Sequence, residues 1–280
     1  MDGNRLGTYL RARRALVRPA DVGLVGSGRR RVPGLRREEV ALLAGISAEY
    51  YLRLEQGRDR NPSSAVLDSL ARVLLLDADA TAYLHGLVSA PPRRTGKAGP
   101  QTIAAGIRWL ISADWASTPV MVTNRCLDIL ASNALAEAVC PVWVEGRNTI
   151  RDAFLDPALR SLYENWEEMA QRSVAGLRAL VGPAGEDRRV VELVHELSTS
   201  SEEFRRLWAR HDVSPKGSGT SWIRHPVVGR MELVYQRLVL PGTDGQMLVV
   251  HHAEPGSASA EALARLLVQI GAGSRSGAAG

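Results

Sequence analysis

An α+β protein in two unequal parts is what this sequence predicts, a helical first third followed by a domain that mixes helices with strands. Three observations carry that expectation. Up to about residue 89 apolar residues recur at a spacing near 3.6, the period of helices with one buried face. A run dense in proline and glycine, Pro91-Pro92 through Gly99-Pro100, then interrupts the periodicity. Beyond it helical stretches alternate with β-branched and aliphatic runs, and the last two such runs flank Gly242-Thr243-Asp244-Gly245, a hairpin-turn sequence.

The elements follow in order. Leu6–Arg14, Glu38–Ala44, Ala48–Gln56, Ala65–Leu75 and Ala78–Val88 form an all-α five-helix unit over residues 1–90. Residues 91–102 are a linker, because prolines and glycines at that density stop helices. From 103 to 271 helices are expected at 103–113, 133–139, 157–180, 187–198, 201–210 and 260–270. Strands are expected at Pro119–Thr123, Asp128–Ala131, Thr220–Arg224, Arg230–Leu240 and Gln246–Ala253. The Gly/Ser/Ala tail, 272–280, has too little apolar surface to offset its chain entropy and is expected to be disordered.

Composition excludes several classes of protein. Hydrophobic residues at 45% and charged residues at 23% are ordinary globular usage, which argues against a disordered chain or a fibrous rod. No apolar stretch approaches the roughly 20 residues that span a bilayer, and the charged N-terminus lacks a secretion signal's apolar core. A cytoplasmic location is therefore expected, in which Cys126 and Cys140 are small buried hydrophobes rather than a disulfide framework. The net charge of +5 is unevenly spread: residues up to Lys97 carry 17 Lys+Arg against 10 Asp+Glu, the remainder 18 against 20. A basic head on a near-neutral body points to a polyanion-binding module attached to something else.

The run Arg36 to Gly57 reads as helix, sharp turn, helix. Ala41 is small where a second helix must cross, Gly45 suits the left-handed end of the first helix, and Ile46 plugs the angle between them. Ser47 caps the second helix, and Tyr51 and Leu54, three apart, face the core. The opposite face then presents Ala48, Glu49, Leu52, Arg53 and Gln56. Arg53 suits a guanine edge, Glu49 a cytosine amine and the Ala48 methyl a thymine methyl. Asn61-Pro62-Ser63 opens the next helix, whose free N–H groups make a phosphate seat. Arg29-Arg30-Arg31, between Pro19 and Gly34, reads equally as a minor-groove arm or as a basic loop.

This pattern resembles the Xre/Cro-type helix-turn-helix over residues 35 to 76, and Tyr50 belongs to the same DNA-binding set. On that resemblance Arg37 stands where the family carries a bracing glutamine, a departure that favours phosphate contact over a base-orienting role. The likeness extends further. Arg13-Arg14, Arg29 to Val40 and Tyr50 to Arg58 resemble the N-terminal signature of MmyB-like transcription regulators. Asp128 to Asn133, Arg147 to Arg151, Phe204 to Val213 and His225 to Gly229 resemble that family's ligand-binding domain. The resemblance implies a PAS-like five-stranded antiparallel sheet with helices and a pocket for a fatty acid or similar lipid. It also implies a homodimer on a double-stranded operator and a link to lipid or secondary-metabolite genes in actinomycetes.

The residues permit such a pocket. Asn148, Arg151, Arg178 and His225 are candidates to anchor an anionic head group, and Phe154, Trp166, Trp222, Met231, Tyr235 and Met247 to line a tail channel. Each has a plainer alternative: the aromatics and methionines as core filling, the arginines as partners of carboxylates such as Glu164 or Glu168.

No catalytic constellation is visible, so the chain reads as a non-enzyme with no cofactor of its own. His251 and His252 are adjacent on a strand and point to opposite faces, which rules out joint chelation, and Cys126 and Cys140 lack a partner pair for zinc. Two rival readings stay open. One is a haem-based sensor using the Cys140-Pro141 dipeptide, and the other a lipid or small-molecule carrier with a polyanion-binding head.

Overall fold

Helix boundaries in the first third follow local capping signals. In the computed structural model, which describes residues 4–24, 32–88, 102–181, 188–214 and 217–276, five helices stand at Arg5–Leu16 (α1), Arg37–Ala44 (α2), Ala48–Gln56 (α3), Ser64–Val73 (α4) and Ala78–Gly86 (α5). The side chains of Asn4, Ser47, Ser63 and Asp77 each accept a hydrogen bond from a free N–H in the first turn of α1, α3, α4 and α5. Gly45 ends α2 at φ 70°, where any side chain would be strained. Gly7 is needed for a different reason, because a Cβ there would overlap the Glu55 carbonyl where α1 crosses the end of α3. Leu10, Leu35, Val40, Tyr51, Leu54, Leu70 and Leu84 are fully buried in one core.

The second part is built on five strands, Val120–Thr123 (β1), Ile129–Ser132 (β2), Ser218–His225 (β3), Gly229–Val239 (β4) and Met247–His252 (β5). They lie in the order β2-β1-β5-β4-β3, and every neighbouring pair is antiparallel. Side chains alternate between faces. Met121, Met231, Leu233 and Val249 point into the main core, whereas Val120, Val122 and Leu248 pack on the reverse side. Seven helices supply the main core: Ala134–Val139 (α7), Thr149–Leu155 (α8), Pro157–Leu162 (α9), Trp166–Val181 (α10), Arg188–Ser200 (α11), Glu202–Ala209 (α12) and Ala258–Ser276 (α13). The reverse face is met by Ala105–Trp109 (α6), which continues as a π-helical turn, Leu110–Asp114, and contributes Ile107 and Ile111.

Three elements differ from the sequence expectation. The helix expected over 157–180 breaks at 163–165, because the sheet claims that backbone: the Glu164 N–H donates to the Trp222 carbonyl at 2.8 Å, and Asn165 Oδ1 accepts from the Trp222 N–H at 3.1 Å. Helix α8 has only seven residues, too few for periodicity to reveal, and it exists because Asn148 caps it, accepting from the Arg151 N–H at 2.9 Å. Helix α13 continues to Ser276, past the point where the sequence predicts its end. The linker 91–102, except its last residue, and the arginines Arg29, Arg30 and Arg31 lie outside the described residues.

Candidate functional site

Two sites emerge, one turned outward and one inward. On α3, Tyr51 and Leu54 are completely buried, so the opposite side of that helix must face solvent. Ser47, Ala48, Glu49, Arg53 and Gln56 are exposed there, with Tyr50 half-buried beside them. Glu49 and Arg53 meet at 3.5 Å one helical turn apart, and the Arg53 guanidinium lies 5.6 Å from the Tyr50 ring centroid. An exposed pair of this kind is worth only about 0.3–0.5 kcal/mol, so it opens readily to a stronger partner. Asn61 and Ser63 are exposed at the start of α4, where the Ser63 hydroxyl is engaged by the Val66 N–H.

Arg37 has a more structural position than a phosphate contact alone requires. Its Nε donates to Glu55 at 2.6 Å, and the other Glu55 oxygen accepts from Arg14 Nε at 2.7 Å. Glu55 is 1% exposed, on the inner side of α3, so it binds the last turn of α1 and the start of α2 to the recognition helix. Arg37 thereby takes up the bracing geometry that its departure from glutamine put in doubt, with 46% of its side chain still exposed. Sequence reasoning passed over Glu55; its signal is position, since it follows Leu54 on the face set by Tyr51.

The inward site is a cavity of about 80 Å³ over the main face of the sheet. Met121, Leu127, Trp143, Leu159, Tyr163 and Val249 give it apolar walls. Thr123, Arg172, Ser173, Ser221, Arg237 and His251 supply the polar ones. Thr123 Oγ1, Arg172 Nε and His251 Nδ1 are buried without a protein partner among the described residues. Arg172 is otherwise held, its Nη1 on Glu168 at 2.8 Å and its Nη2 donating to the Thr220 carbonyl at 2.6 Å. The Arg237 guanidinium has no hydrogen bond or carboxylate among the described residues, only the Tyr235 ring 5.2 Å away. Burial, with the Arg172 charge beside it, pulls the Arg237 pKa below the ordinary guanidinium value. Burial, together with Arg237 and His252, lowers the His251 pKa to about 3 and keeps its imidazole neutral. Such a site favours an anion, which would relieve two crowded positive charges and satisfy orphaned donors at once.

Of the ten side chains expected to form a pocket, Tyr235 alone lines this cavity. Asn148 is spent on the fold, its Nδ2 donating to the Cys126 carbonyl and to Asp128, both at 2.8 Å. His225 holds its own turn: Nε2 meets the Ala138 carbonyl at 3.0 Å, and Nδ1 accepts from the Val227 and Val228 N–H groups. Arg151 pairs with Glu196 at 2.7 Å, a different carboxylate from those considered. Arg178 lies against the helical unit instead, 3.2 Å from His211 and near Tyr83. Phe154, Trp166, Met231 and Met247 fill the core, with Phe154 set edge-on to Trp166. Trp222 faces outward from β3 beneath Arg230.

The residues that do converge were readable from period-two alternation. Met231, Leu233, Tyr235 and Arg237 form one inward row on β4; Met247, Val249 and His251 form another on β5. Extending the row past Tyr235 reaches Arg237. Cys140, by contrast, is fully buried in the core and burial pushes its thiol pKa up to about 12, a poor state for ligating haem. Among the described residues no group of three His, Cys, Asp or Glu side chains could hold a metal ion, and no helix is long and apolar enough to cross a membrane.

Comparison with known families matches residues 103–267 to the MmyB-like transcription regulator ligand binding domain and residues 5–84 to a helix-turn-helix domain. A search of curated proteins returned no match.

Proposed function

Since the chain belongs to the MmyB-like transcription regulators, we propose that this ligand-responsive DNA-binding regulator reads its operator with α3 and takes an acidic amphiphile, a fatty acid or similar lipid, in the cavity over its sheet. The protein acts in the cytoplasm as a homodimer. Its two α3 helices enter successive major grooves of a near-palindromic operator, about 34 Å apart. Arg53 reads a guanine edge, Glu49 and Ala48 the neighbouring bases, and Arg37 together with the start of α4 fixes the register on phosphate. Bidentate contact to guanine requires Arg53 to leave Glu49, which the weak pairing between them permits.

One observation carries the ligand class: Arg237 is held at the cavity with no carboxylate of its own among the described residues. A carboxylate head group completes that charge and accepts from the neighbouring donors, while the apolar wall takes the chain. The test compares dodecanoate with dodecanol by displacement of cis-parinaric acid fluorescence. Dodecanoate is expected to bind the wild type at least tenfold more tightly than dodecanol and to lose that advantage in Arg237→Leu. Equal affinity for the acid and the alcohol in the wild type would overturn the anionic reading. For the DNA face, selection from random duplexes is expected to yield a motif at which Arg53→Ala costs about 1–3 kcal/mol and relaxes one base position. Failure to enrich any sequence at physiological salt would instead favour a lipid carrier with a basic head, and a Soret band in the purified protein would favour a haem sensor.

A further inference from the structure

The helical unit and the sheet domain meet at a small, specific joint. Directly after α12 the chain turns at His211, a non-glycine residue at φ 56°, and crosses to α1. The His211 ring stands edge-on to Tyr9, with 6.1 Å between centroids. Asp212 accepts from Arg13 at 2.6 Å, and Val213 is buried in the helical unit's own core with Tyr9, Leu10 and Leu84. Beneath this segment lies Arg178 of α10, 5% exposed. Its guanidinium covers the Trp208 ring at 3.8 Å, donates to the Trp208 carbonyl and lies near Tyr83 of α5. Burial, with the charges of Arg178 and Arg13, lowers the His211 pKa to about 3, so the joint keeps one protonation state across physiological pH.

The same helix forms a wall of the cavity. Met169, Arg172 and Ser173 line it, and Arg178 follows Arg172 by six residues, about 9 Å along the axis. A second connection runs through Gly176, where a Cβ would come within 3.4 Å of Arg237 Nη1 and 3.8 Å of the Ser214 carbonyl. The Ser214 N–H donates to the Ala175 carbonyl at 3.3 Å, one residue beyond Val213. The cavity, about 80 Å³, is far below the roughly 300 Å³ at which drug-sized pockets begin. A chain-bearing ligand must therefore push its walls apart, and α10 is one of those walls.

We propose that Arg178 and the Trp208–Val213 segment form a clasp on α1 and α5, and that α10 couples occupancy of the cavity to the grip of this clasp, so that uptake of an amphiphile releases the DNA-binding unit from one fixed pose. The inference rests on the acidic-amphiphile reading of the cavity. A ligand shifts the equilibrium only by its differential affinity for the two poses, and the effect is reciprocal: whatever loosens the clasp tightens the ligand by the same factor.

The test uses the full chain, dodecanoate as the probe and hydrogen exchange at the α1 and α5 amides as the readout. Dodecanoate is expected to speed exchange there about fivefold or more in the wild type. In Asp212→Asn, which keeps the side chain's size at a partly exposed position, exchange is expected to be fast already and indifferent to dodecanoate, while the dodecanoate Kd tightens by the factor seen in exchange. Unchanged dodecanoate affinity in Asp212→Asn, with α1 still responding, overturns the clasp. If dodecanoate does not bind the wild type, the ligand reading fails on its own, and a double-mutant cycle of Arg237→Leu with Asp212→Asn decides the coupling. Non-additive effects on α1 exchange sustain it, and additive ones overturn it.

Discussion

Two arginine pairs distinguish the halves of this molecule. In the helical unit Arg14 and Arg37 converge on Glu55, a buried carboxylate that both guanidinium groups share. In the sheet domain Arg172 and Arg237 converge on a cavity; Arg172 leans on Glu168, and Arg237 has no carboxylate among the described residues. The first pair is closed electrostatically and holds three helices in register. In the second only Arg172 is paired, and the anionic ligand proposed above would offset the cost of burying Arg237 without a carboxylate among the described residues. The contrast rests on Arg14 and Arg237: the first has a carboxylate of its own chain, and the second faces a cavity.

Breaking this contrast should produce effects of opposite sign. Glu55→Ala leaves Arg14 largely buried and unpaired and is expected to cost about 3 kcal/mol in denaturant unfolding, with most of the loss reported by probes in residues 5–84. A change below about 0.5 kcal/mol would show the pair to be dispensable. Acid should weaken the sheet domain and the joint next. His251 and His211 are held neutral with pKa values of about 3, against 6.5 when unfolded. The unfolded chain therefore binds more protons in that window, so stability is full above pH 6.5 and falls as pH drops toward 3. Each histidine contributes at most about 1.4 kcal/mol per pH unit. Urea midpoints measured at pH 7, 6 and 5 should decline, and His251→Asn should flatten the slope; a flat wild-type profile would contradict the assignment. The groups around these rings are Arg237 and His252 for His251, and Arg178, Arg13 and Asp212 for His211.

Arg237→Leu should do the reverse of Glu55→Ala. Removing an uncompensated buried charge is expected to raise stability by about 1 kcal/mol in the same denaturant assay while weakening dodecanoate. Destabilisation with dodecanoate binding intact would mean that Arg237 is structural after all. Smallest of all is Arg53→Ala, on the exposed face of α3. Its effect on unfolding should stay within about 0.5 kcal/mol, so any loss of operator binding reports contact rather than folding.

The helical unit was legible because its determinants are local. Ser47, Gly45 and the Tyr51–Leu54 spacing each act within one or two turns, and α2 and α3 begin and end within a residue of their expected positions. The strands were legible for the same reason, down to the turn at 242–245. The pocket candidates were chosen by residue type, and type does not specify direction. Asn148 and His225 looked like head-group anchors and are caps and turn locks, because backbone groups nearby claim their polar atoms first. The break between α9 and α10 was likewise decided by a strand some 55 residues away in sequence.

Periodicity, capping and charge distribution determined, without any coordinates, that a basic helix-turn-helix precedes an α+β domain and which face of α3 turns outward. Only the packed structure decided which polar groups would go unanswered. Whether Arg237 faces a carboxylate or an empty volume, and whether Arg178 grips a ligand or the Trp208–Val213 segment, depends on elements far apart in the chain. Local signals act over a few residues through backbone hydrogen bonds and side-chain spacing. The pairing of a buried charge is a property of everything packed around it, and no stretch of sequence contains that.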